Sequence, residues 1–513
     1  MAANLNPQQS ALINWIRDGE GSMNLVARAG TGKTYTLMQA VGEIIKNNSA
    51  SIAIMAYNKS ASNEFESRLE MLGFRTGQVT PGTVHSFGFR AWRQVAPRVK
   101  VEGNKVRDLV DARRREGIVY EQFWSQICKL VSLAKQHAFG VSTEIKDLDA
   151  WAHLLEHYDI DVNGHADEVI EASVEVYEAS LAQLMDIVDF DDMILAPLIR
   201  NVNMKRYSWV LIDEAQDTNE SRRLLALAML APHGRLIAVG DPRQAIYGFT
   251  GADSDALDKI KAVLNSAELP LSITYRCPKA VVAEANRLVP DLLAHESAPE
   301  GVVRHIQNVV KGEGADAVSQ PWFKAENVSF TDVGLCRNTK PLLEEAYKMI
   351  ALNVACRVEG RDIGEGLVQL ATKWKRIVTL GALLDAIEEY QRKETAKWTE
   401  RKNEARVQAL EDKCETLRII IDHLLATGNT SVSDLVKHIR SLFGDTPEGE
   451  SPKVFTFSTI HKSKGREWDR VFFLYKSKTM PSKYAKQAWQ LGQEANLEYV
   501  AITRAKKELV YVG

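Results

Sequence analysis

Residues 26–37 read VARAGTGKTYTL and join a short apolar run to a stretch with helical spacing. Gly30 and Gly32 let backbone N–H groups close on phosphate oxygens, and the N-terminus of the following helix adds its dipole. Lys33 can reach the outer phosphates of a nucleotide, and Thr34 can ligate Mg²⁺. The segment therefore predicts a Walker A phosphate loop. Its predicted nucleotide-binding residues are Ala29, Gly30, Thr31, Gly32, Lys33, Thr34 and Tyr35.

The alternation of strand and helix continues along the chain. Short apolar runs that end in Gly, Asp or Asn are typical of buried parallel strands, and helices between them imply βαβ units. Two segments with helical spacing, 89–188 and 367–452, interrupt the pattern. The sequence therefore predicts an α/β fold of two units, each with a helical insertion. The predicted strands lie in MNLVARAG, SIAIMAYN, YSWVLIDEAQD, GRLIAVGDP, DVGLCRN, KVFTFST, RVFFLY and ELVYVG.

The two helical segments differ in character. Residues 89–188 contain no convincing strand, and the basic clusters at 89–101 and 111–117 are interpreted as solvated helix faces. Residues 396–425, within the second segment, are rich in good helix formers with apolar positions three and four apart. This spacing indicates an exposed amphipathic helix or helix pair.

Composition limits the function only broadly. The 513 residues are 45% hydrophobic and 26% charged, which is ordinary for a globular protein, and no apolar run is long enough to cross a bilayer. The first residues lack the pattern of a secretory signal. Five widely spaced cysteines without a CxxC pair argue against a disulfide framework or zinc site and predict a cytoplasmic location. The net charge of −3 alone predicts no nucleic-acid partner, although a groove needs only local positive potential.

A carboxylate pair follows one of the predicted strands. A Walker A loop needs a carboxylate for the metal from the end of a neighbouring strand. In WVLIDEAQD (209–217), Asp213 ends the apolar run and would hold Mg²⁺ through water. Glu214 beside it would orient and deprotonate the attacking water. An acidic pair can also be a solvated loop, but downstream of a phosphate loop it predicts a nucleoside triphosphate hydrolase.

Further motifs connect this site to a known family. IDEAQD is followed by GDPRQAIYGF, TYRCP, STIHKSKGREWD and LEYVAITRAKKELVYV. In this order, from Gln9 to Tyr511, the chain resembles the superfamily 1 DNA helicases of the UvrD/Rep/PcrA group. The resemblance implies two RecA-like domains, with ATP in the cleft between them and single-stranded DNA across both. The implied domains are 1–88 with 189–270, carrying the helical insertion 89–188, and 271–366 with 453–513, carrying the short insertion 367–452.

The resemblance also implies nucleotide contacts. LNPQQ is similar to the adenine-recognition motif, with Gln9 as base reader, and Tyr275 matches the residue that stacks on adenine. Gln244 matches the γ-phosphate sensor, and Gln216 is assigned a coupling role. Two guanidiniums would neutralise charge on the phosphoryl group during its transfer. The implied contacts from the second domain are the arginine fingers Arg276 and Arg504, with Lys464 and Glu467 near the γ-phosphate and ribose.

A second set of positions matches the DNA side of the family. Base stacking on aromatic rings such as Tyr247 and Phe249 contributes about 1–3 kcal/mol per base and tolerates any sequence. The segment 240–253 would therefore connect the phosphate sensor to the grip on DNA. His85 and Phe87 could instead be core residues. The implied DNA-contact positions are Tyr57, Asn58, Lys59, Thr83, His85, Ser86, Phe87, Tyr247, Phe249, Thr459 and His461.

Several residues depart from the family pattern. Ala27 stands where the phosphate loop usually opens with glycine, and Arg28 replaces another common glycine. Ala56 stands where the family often has phenylalanine, so Tyr57 is expected to take over the stacking. Thr250 replaces a common arginine on the DNA side.

The motifs predict an ATP-dependent DNA helicase that uses ATP and Mg²⁺. Its partners would be single-stranded DNA and single-strand/double-strand junctions, and the family resemblance implies 3′ to 5′ movement and work in DNA repair or replication. One alternative is a translocase that strips proteins from single strands and opens duplex poorly, because the second insertion is short. Another is a P-loop ATPase switch, which would have no need for aromatic residues on a DNA side.

Overall fold

The chain forms two compact units, residues 1–272 and 273–513. The computed structural model describes residues 5–47, 49–74, 77–114, 116–248, 251, 255–306, 310–311, 318–319, 322–323, 328–352, 354–400, 404–443, 454–483 and 485–513. Phe249 and Thr250 lie outside these residues. None of the helices in these ranges is both long and apolar enough to cross a membrane. All five cysteines are free thiols, either buried or half-buried.

The first unit is built on a six-stranded parallel sheet in the order β3-β2-β6-β7-β1-β8. Apolar side chains on both faces of this sheet are buried against helices, which is why its central strands read as continuous apolar runs. The strands of the unit are β1 (Met23–Ala27), β2 (Ile52–Ala56), β3 (Val79–Thr83), β4 (Lys100–Val101), β5 (Ile187–Val188), β6 (Tyr207–Ile212), β7 (Leu230–Gly240) and β8 (Ala267–Leu271).

Helices cover both faces of the sheet and form the first insertion. The helices are α1 (Pro7–Asp18), α2 (Lys33–Ile44), α3 (Lys59–Met71), α4 (Val84–Val95), α5 (Lys105–Arg113), α6 (Ile118–Gln122), α7 (Trp124–Gln136), α8 (Leu148–His157), α9 (Ala166–Ala182), α10 (Asp192–Ile199), α11 (Glu220–Ala228) and α12 (Ala256–Leu264). Helices α5 to α9 have their own core around Trp151, whose ring meets Phe139 and Tyr177 edge to face. The expectation of no strand in 89–188 is wrong for β4 and β5, which pair over two residues each.

A buried ion network fixes this insertion to the rest of the first unit. Lys135 Nζ lies 2.6 Å from an Asp189 carboxylate oxygen and 2.7 Å from one of Asp192, and Lys105 Nζ lies 2.7 Å from the other Asp192 oxygen. Lys135 and Asp192 are fully buried. Buried charges of this kind are tolerated only when paired and hydrogen-bonded. The network therefore joins α5 and α7 of the insertion to α10, which packs against α4.

The second unit contains another six-stranded parallel sheet, in the order β11-β18-β17-β14-β16-β15. Each unit therefore has its own parallel sheet, and the predicted fold class of two RecA-like α/β domains is confirmed. The strands are β9 (Ile273–Thr274), β10 (Leu293–Ala294), β11 (Val302–Ile306), β12 (Val310–Lys311), β13 (Val318–Ser319), β14 (Asp332–Cys336), β15 (Cys356–Val358), β16 (Phe455–Thr459), β17 (Trp468–Leu474) and β18 (Ala505–Val512).

The predicted helix pair is present in the second unit. The helices are α13 (Lys279–Ala285), α14 (Thr339–Ala351), α15 (Arg361–Ala371), α16 (Leu380–Glu400), α17 (Glu404–Ala426), α18 (Val432–Leu442), α19 (Lys476–Thr479) and α20 (Ala488–Ile502). Helices α16 and α17 pack on each other, and the inner face of α17, including Leu417 and Ile421, is buried in the core of the unit. The pair is therefore less exposed than its sequence suggests, because α17 also packs on α14.

Candidate nucleotide and nucleic-acid sites

The phosphate loop connects β1 to α2 in the conformation that phosphate binding requires. Gly30 and Gly32 have φ angles of 72° and 79°, in the left-handed region that strains residues with a Cβ. The hydroxyl of Thr31 donates to the carbonyl oxygen of Arg28 at 2.8 Å and closes the turn. Helix α2 then begins at Lys33. Left-handed glycines followed directly by a helix N-terminus are compatible with the anion binding predicted for this loop.

Lys33 is paired with the carboxylate that follows β6. Its Nζ lies 2.8 Å from each carboxylate oxygen of Glu214. Burial opposes the charge of the lysine, but the carboxylates of Glu214 and Asp213 outweigh it, so the pKa of Lys33 is raised. Glu214 itself has φ 51°, a left-handed conformation uncommon for a residue with a side chain. The backbone at this strand end therefore holds the carboxylate against the phosphate loop.

Asp213 has the properties of a cation ligand. It is 7% exposed, and its Oδ1 atom is buried without a hydrogen-bond partner among the described residues. Burial and the neighbouring Glu214 carboxylate raise the pKa of Asp213 to about 7. A divalent cation would satisfy the unpaired oxygen and favour the charged carboxylate. The residues present therefore fit Mg²⁺, with Thr34 in the first turn of α2 as the second candidate ligand.

Hydrogen bonds extend from this ion pair to the end of β7. Gln216 donates from Nε2 to Glu214 at 2.6 Å and accepts at Oε1 from the backbone N–H of Asp241 at 2.9 Å. The Asp241 carboxylate in turn accepts from Gln244 Nε2 at 2.7 Å. Lys33, Glu214, Gln216, Asp241 and Gln244 thus form one continuous chain of contacts, named here the polar network.

Two further residues fit closely around the polar network. Arg28, a departure from the family pattern, donates from Nη1 to the buried Asp241 carboxylate at 3.0 Å. Gly240 precedes Asp241, and a Cβ at that position would lie 2.5 Å from Gln216 Oε1. Glycine is therefore required there for the close approach of β7 to Gln216. The sequence drew attention to Arg28 but did not identify its partner.

Gln9 lies beside the phosphate loop and also caps α1. It is 2% exposed, and its Oε1 accepts from the backbone N–H of Asn6 at 3.1 Å, while Asn6 Oδ1 accepts from the Gln9 N–H. This reciprocal capping box accounts for part of the LNPQQ pattern without a ligand. A Cβ on Gly32 would lie 3.5 Å from Gln9 Nε2. The amide therefore faces the loop where a nucleotide base reader is expected.

A groove of about 820 Å³ collects most of the predicted DNA-side residues of the first unit. Asn58 and Thr83 cap the N-termini of α3 and α4, so two positive helix ends meet at the groove. Burial, followed by the charge of Arg222, lowers the pKa of His85 to about 4, so its imidazole is neutral at neutral pH. The residues lining the groove are Tyr57, Asn58, Lys59, Thr83, His85, Ser86, Phe89, Arg90, Arg93, Gln94, Phe190 and Met193.

Some of these groove residues were missed or misread in the sequence. Arg90 and Arg93 belong to a basic cluster interpreted as a solvated helix face, yet both line the groove. Phe87, predicted to contact DNA, is 4% exposed and packs edge to face on Tyr207 at 6.2 Å. The structure therefore places Phe87 in the core, because its position on α4 faces the sheet. The helical spacing of residues 84–95 could have separated the two faces.

The aromatic rings predicted on two separate segments come together. Tyr57 and Tyr247 stack with ring centroids 5.8 Å apart and planes 8° from parallel. The contact joins two of the rings predicted on the DNA side, and the expectation that Tyr57 takes over the stacking in place of Ala56 stays a prediction. Arg222, which the sequence did not single out, lies with its guanidinium carbon 5.4 Å from the centre of the Tyr57 ring.

In the second unit, Arg276 is held by its neighbours. Its Nε lies 2.5 Å from a Glu467 carboxylate oxygen, and its Nη1 donates to the Thr503 carbonyl at 3.4 Å. Tyr275 is 49% exposed, and its ring lies 4.7 Å from that of His295. An exposed aromatic ring is suited to stacking on an external ligand.

Arg504 lies inside the second unit. It is 1% exposed and donates to the carbonyl oxygens of Val500 and Arg466 at 3.0 Å each, and to the Thr503 hydroxyl at 3.3 Å. The structure therefore does not present this predicted finger at the surface of its unit. Its donors stabilise the C-terminal end of α20 and the loop that carries Glu467.

The remaining predicted residues of the second unit follow β16. Thr459 ends this strand, and His461 and Lys464 lie in the turn after it. Burial, together with the charges of Arg337 and Lys464, lowers the pKa of His461 to about 3. The imidazole is therefore a neutral group at neutral pH, able to donate or accept a hydrogen bond but not to attract phosphate by charge.

Comparisons with known proteins agree with this arrangement. The family model of the UvrD/REP helicase N-terminal domain matches residues 5–264, and that of the UvrD-like helicase C-terminal domain matches residues 141–512. A probable DNA helicase II homolog of Mycoplasma pneumoniae is 23% identical, over an alignment that covers 99% of the chain and 84% of the relative.

Other relatives align over part of their length. The ATP-dependent DNA helicase PcrA of Staphylococcus epidermidis is 24% identical, over 56% of the chain and 40% of the relative. The PcrA protein of Staphylococcus aureus is 22% identical, over 59% of the chain and 42% of the relative. The matched stretch thus spans less than half of each PcrA protein. With both domain models matched, the chain belongs to the UvrD/Rep/PcrA group of superfamily 1 helicases.

Proposed function

We propose that the chain is an ATP-dependent DNA helicase that moves 3′ to 5′ along single-stranded DNA and opens duplex at single-strand/double-strand junctions. The observation that carries the proposal is the groove of the first unit, where Tyr57, Lys59 and His85 meet. The polar network lies in the same unit, so a nucleotide site and a nucleic-acid site share one sheet. The free cysteines agree with a cytoplasmic location.

Hydrolysis begins, in this proposal, with an exchange of partners at Lys33. The γ-phosphate of ATP competes with Glu214 for the lysine ammonium, because both are anions within its reach. Once released, the Glu214 carboxylate accepts a proton from the attacking water. Asp213 and Thr34 would hold Mg²⁺, which when bound neutralises charge on the phosphate oxygens. Gln244, held by Asp241, then registers the presence of the terminal phosphate.

The second unit completes the nucleotide site in the proposed cleft. Arg276 is the better candidate for an arginine finger, because its guanidinium is partly exposed and bound by one carboxylate. Tyr275 stacks on the adenine, and Glu467 and Lys464 approach the ribose and γ-phosphate. Arg504 would have to break three hydrogen bonds to act directly, so we assign it the support of the loop around Arg466.

DNA binding is proposed along the groove of the first unit. Lys59, Arg90 and Arg93 would contact phosphates, which contributes affinity without regard to sequence. Tyr57 and Tyr247 would stack on bases, and the base contact predicted for Phe249 from the sequence is kept as part of the proposal. Thr459 and His461 would continue the path on the second unit through hydrogen bonds to the backbone.

An unwinding assay tests the proposal. Duplexes with a 3′ tail, a 5′ tail or blunt ends are incubated with ATP and Mg²⁺, and strand separation is followed together with ATP hydrolysis. We expect single-stranded DNA to stimulate hydrolysis and the 3′-tailed duplex alone to be opened. Stimulation without opening of any duplex would contradict the helicase assignment, and opening of the 5′-tailed duplex would contradict the polarity.

The translocase alternative has its own supporting observation. The helical segment of the second unit consists of α16, α17 and α18, and part of α17 is committed to the core of that unit. In this alternative, the surface that remains is too small to hold duplex DNA during unwinding. Release of streptavidin from a biotinylated single strand, at a rate well above duplex opening, would favour this alternative.

A further inference from the structure

Arg222 contacts the aromatic pair of the first unit from α11. Its guanidinium carbon lies 5.4 Å from the centre of the Tyr57 ring, and Tyr57 stacks on Tyr247 at 5.8 Å. A guanidinium this close to an aromatic ring is attracted by the negative charge on the ring face. Because Tyr57 is half-buried, solvent screens this attraction only in part. Arg222 therefore restricts the orientations available to the Tyr57 ring.

The same guanidinium is joined to the acidic motif. Arg222 Nη1 donates to the carbonyl oxygen of Asp217 at 3.2 Å. Gln216 Nε2 donates to the carboxylates of both Asp217, at 3.3 Å, and Glu214, at 2.6 Å. Since Glu214 is also bonded to Lys33, contacts run without a gap from the phosphate loop to Tyr57 and Tyr247. Every residue of this route lies in the first unit.

We propose that Arg222 is a positioning residue that holds Tyr57 against Tyr247 and transmits the state of the phosphate loop to these rings. The inference rests on the proposed function, in which the two rings bind bases. Because the two rings are in contact, a DNA base can bind them in two ways. It can stack on the outside of the pair, or it can displace one ring. Arg222 sets the free energy of that displacement, because moving Tyr57 disturbs its contact with the guanidinium.

A packing role alone would have different consequences. An arginine that only stabilises α11 would affect folding and every activity alike when it is replaced. A positioning residue affects the response to DNA while leaving hydrolysis without DNA intact, because Arg222 does not touch the proposed nucleotide site. A chain of contacts is not in itself evidence of coupling, so the inference depends on measured interaction energies.

The test compares Arg222→Met, Arg222→Lys and the control Arg68→Met. Met keeps the length of the side chain and removes its charge, and Lys keeps the charge without the planar donor group. Arg68 is an exposed arginine on α3 that pairs with Glu64 one turn away. The measurements are ATP hydrolysis against oligo(dT) concentration, the DNA-free rate, the melting temperature and the fluorescence of 2-aminopurine in the oligonucleotide.

We expect Arg222→Met to raise the half-saturating oligo(dT) concentration about tenfold, equivalent to about 1.4 kcal/mol. The 2-aminopurine signal that reports stacking should be lost, while the DNA-free rate and the melting temperature match those of Arg68→Met. Arg222→Lys should fall between the wild type and Arg222→Met. If Arg222→Met unfolds, Arg222→Lys carries the test through the same fluorescence signal.

A double-mutant cycle with Tyr57→Leu measures the coupling. We expect the combined variant to lose little more DNA response than Tyr57→Leu alone, because the guanidinium then has no ring to hold. Additive losses, or a DNA response of Arg222→Met equal to that of Arg68→Met, would overturn the positioning role. If oligo(dT) fails to stimulate the wild type, the proposed function itself is wrong. The dependence of wild-type ATP hydrolysis on oligo(dT) concentration therefore distinguishes failure of the positioning role from failure of the proposed function.

Discussion

The candidate residues of the two units are held in different ways. In the first unit they bond to one another, from Lys33 through Glu214 and Gln216 to Asp241. In the second unit, Arg276 pairs with Glu467, and Arg276 and Arg504 also donate to backbone carbonyl oxygens of their own unit. In the proposed function Lys33 exchanges Glu214 for the γ-phosphate inside the polar network, whereas Arg276 has to leave both Glu467 and a backbone carbonyl of its own unit. We expect substitutions in the two units to fail differently.

The largest effect is expected at Lys33. Lys33→Ala removes the cation that faces both the γ-phosphate and Glu214, so ATP hydrolysis should fall by about a thousandfold. The measurement is the steady-state rate with saturating DNA. Lys46→Ala, an exposed lysine just beyond α2, is the control and should retain the wild-type rate. Full turnover by Lys33→Ala would end the enzymatic interpretation of the first unit.

Arg276 should give the next largest effect. Arg276→Ala is expected to lower kcat by about a hundredfold, because a cation that neutralises charge during phosphoryl transfer is lost. The melting temperature should stay near that of the wild type, since Arg276 is partly exposed. Arg287→Ala, also exposed, serves as the matched control. An unchanged kcat would remove Arg276 from the proposed nucleotide site.

Arg504 tests the comparison further, because its replacement should lower the folding stability rather than affect catalysis directly. Arg504→Ala removes the guanidinium donors to the carbonyl oxygens of Val500 and Arg466 and is expected to cost about 2 kcal/mol of folding free energy. Denaturant unfolding of the wild type and the variant measures this difference. A stable Arg504→Ala protein with greatly reduced kcat would instead support a direct finger role.

The smallest effect is expected in the pH dependence of folding stability. The pKa of His85 is lowered to about 4 by burial, so the unfolded chain binds the proton more tightly. The contribution of neutral His85 to folding stability is therefore fully present above the unfolded pKa of about 6.5, and it is lost as pH falls toward 4. Between about pH 7 and pH 5.5 we expect a loss of about 1 kcal/mol that His85→Asn removes. Unfolding at both pH values checks this, and an identical pH dependence in the two proteins would contradict it.

Most of the sheet architecture could be predicted from the sequence, and the strands at the sheet edges that were not predicted share a physical cause. Interior strands such as β2 and β14 are apolar on both faces and stand out as runs. The strands not predicted include β3, β8, β11 and β15, which are the four edges of the two sheets. Edge strands are partly exposed, and β3 and β8 contain proline, which edges tolerate. Such segments lack the apolar pattern by which strands are recognised.

The parts of the candidate site that could be predicted are those in which the chemistry requires particular residue types a few positions apart. The loop around Lys33 and the Asp213–Glu214 pair are of this kind. Arg222 escaped notice because its role depends on the approach of Tyr57, which is distant in sequence. The burial of Arg504 likewise depends on how α20 meets the loop at Arg466, a relation that no local pattern encodes.

The buried lysine–aspartate cluster at the base of the insertion has a mechanical consequence. Separating α7 from α10 would leave the charges of Lys135 and Asp192 unpaired in apolar surroundings, at a cost of several kcal/mol of free energy. Helix α10 contributes Met193 to the lining of the groove, and α4, which packs on α10, contributes Arg90 and Arg93. The paired charges therefore tie the helical insertion to a helix that lines the groove, and we expect the two to move together.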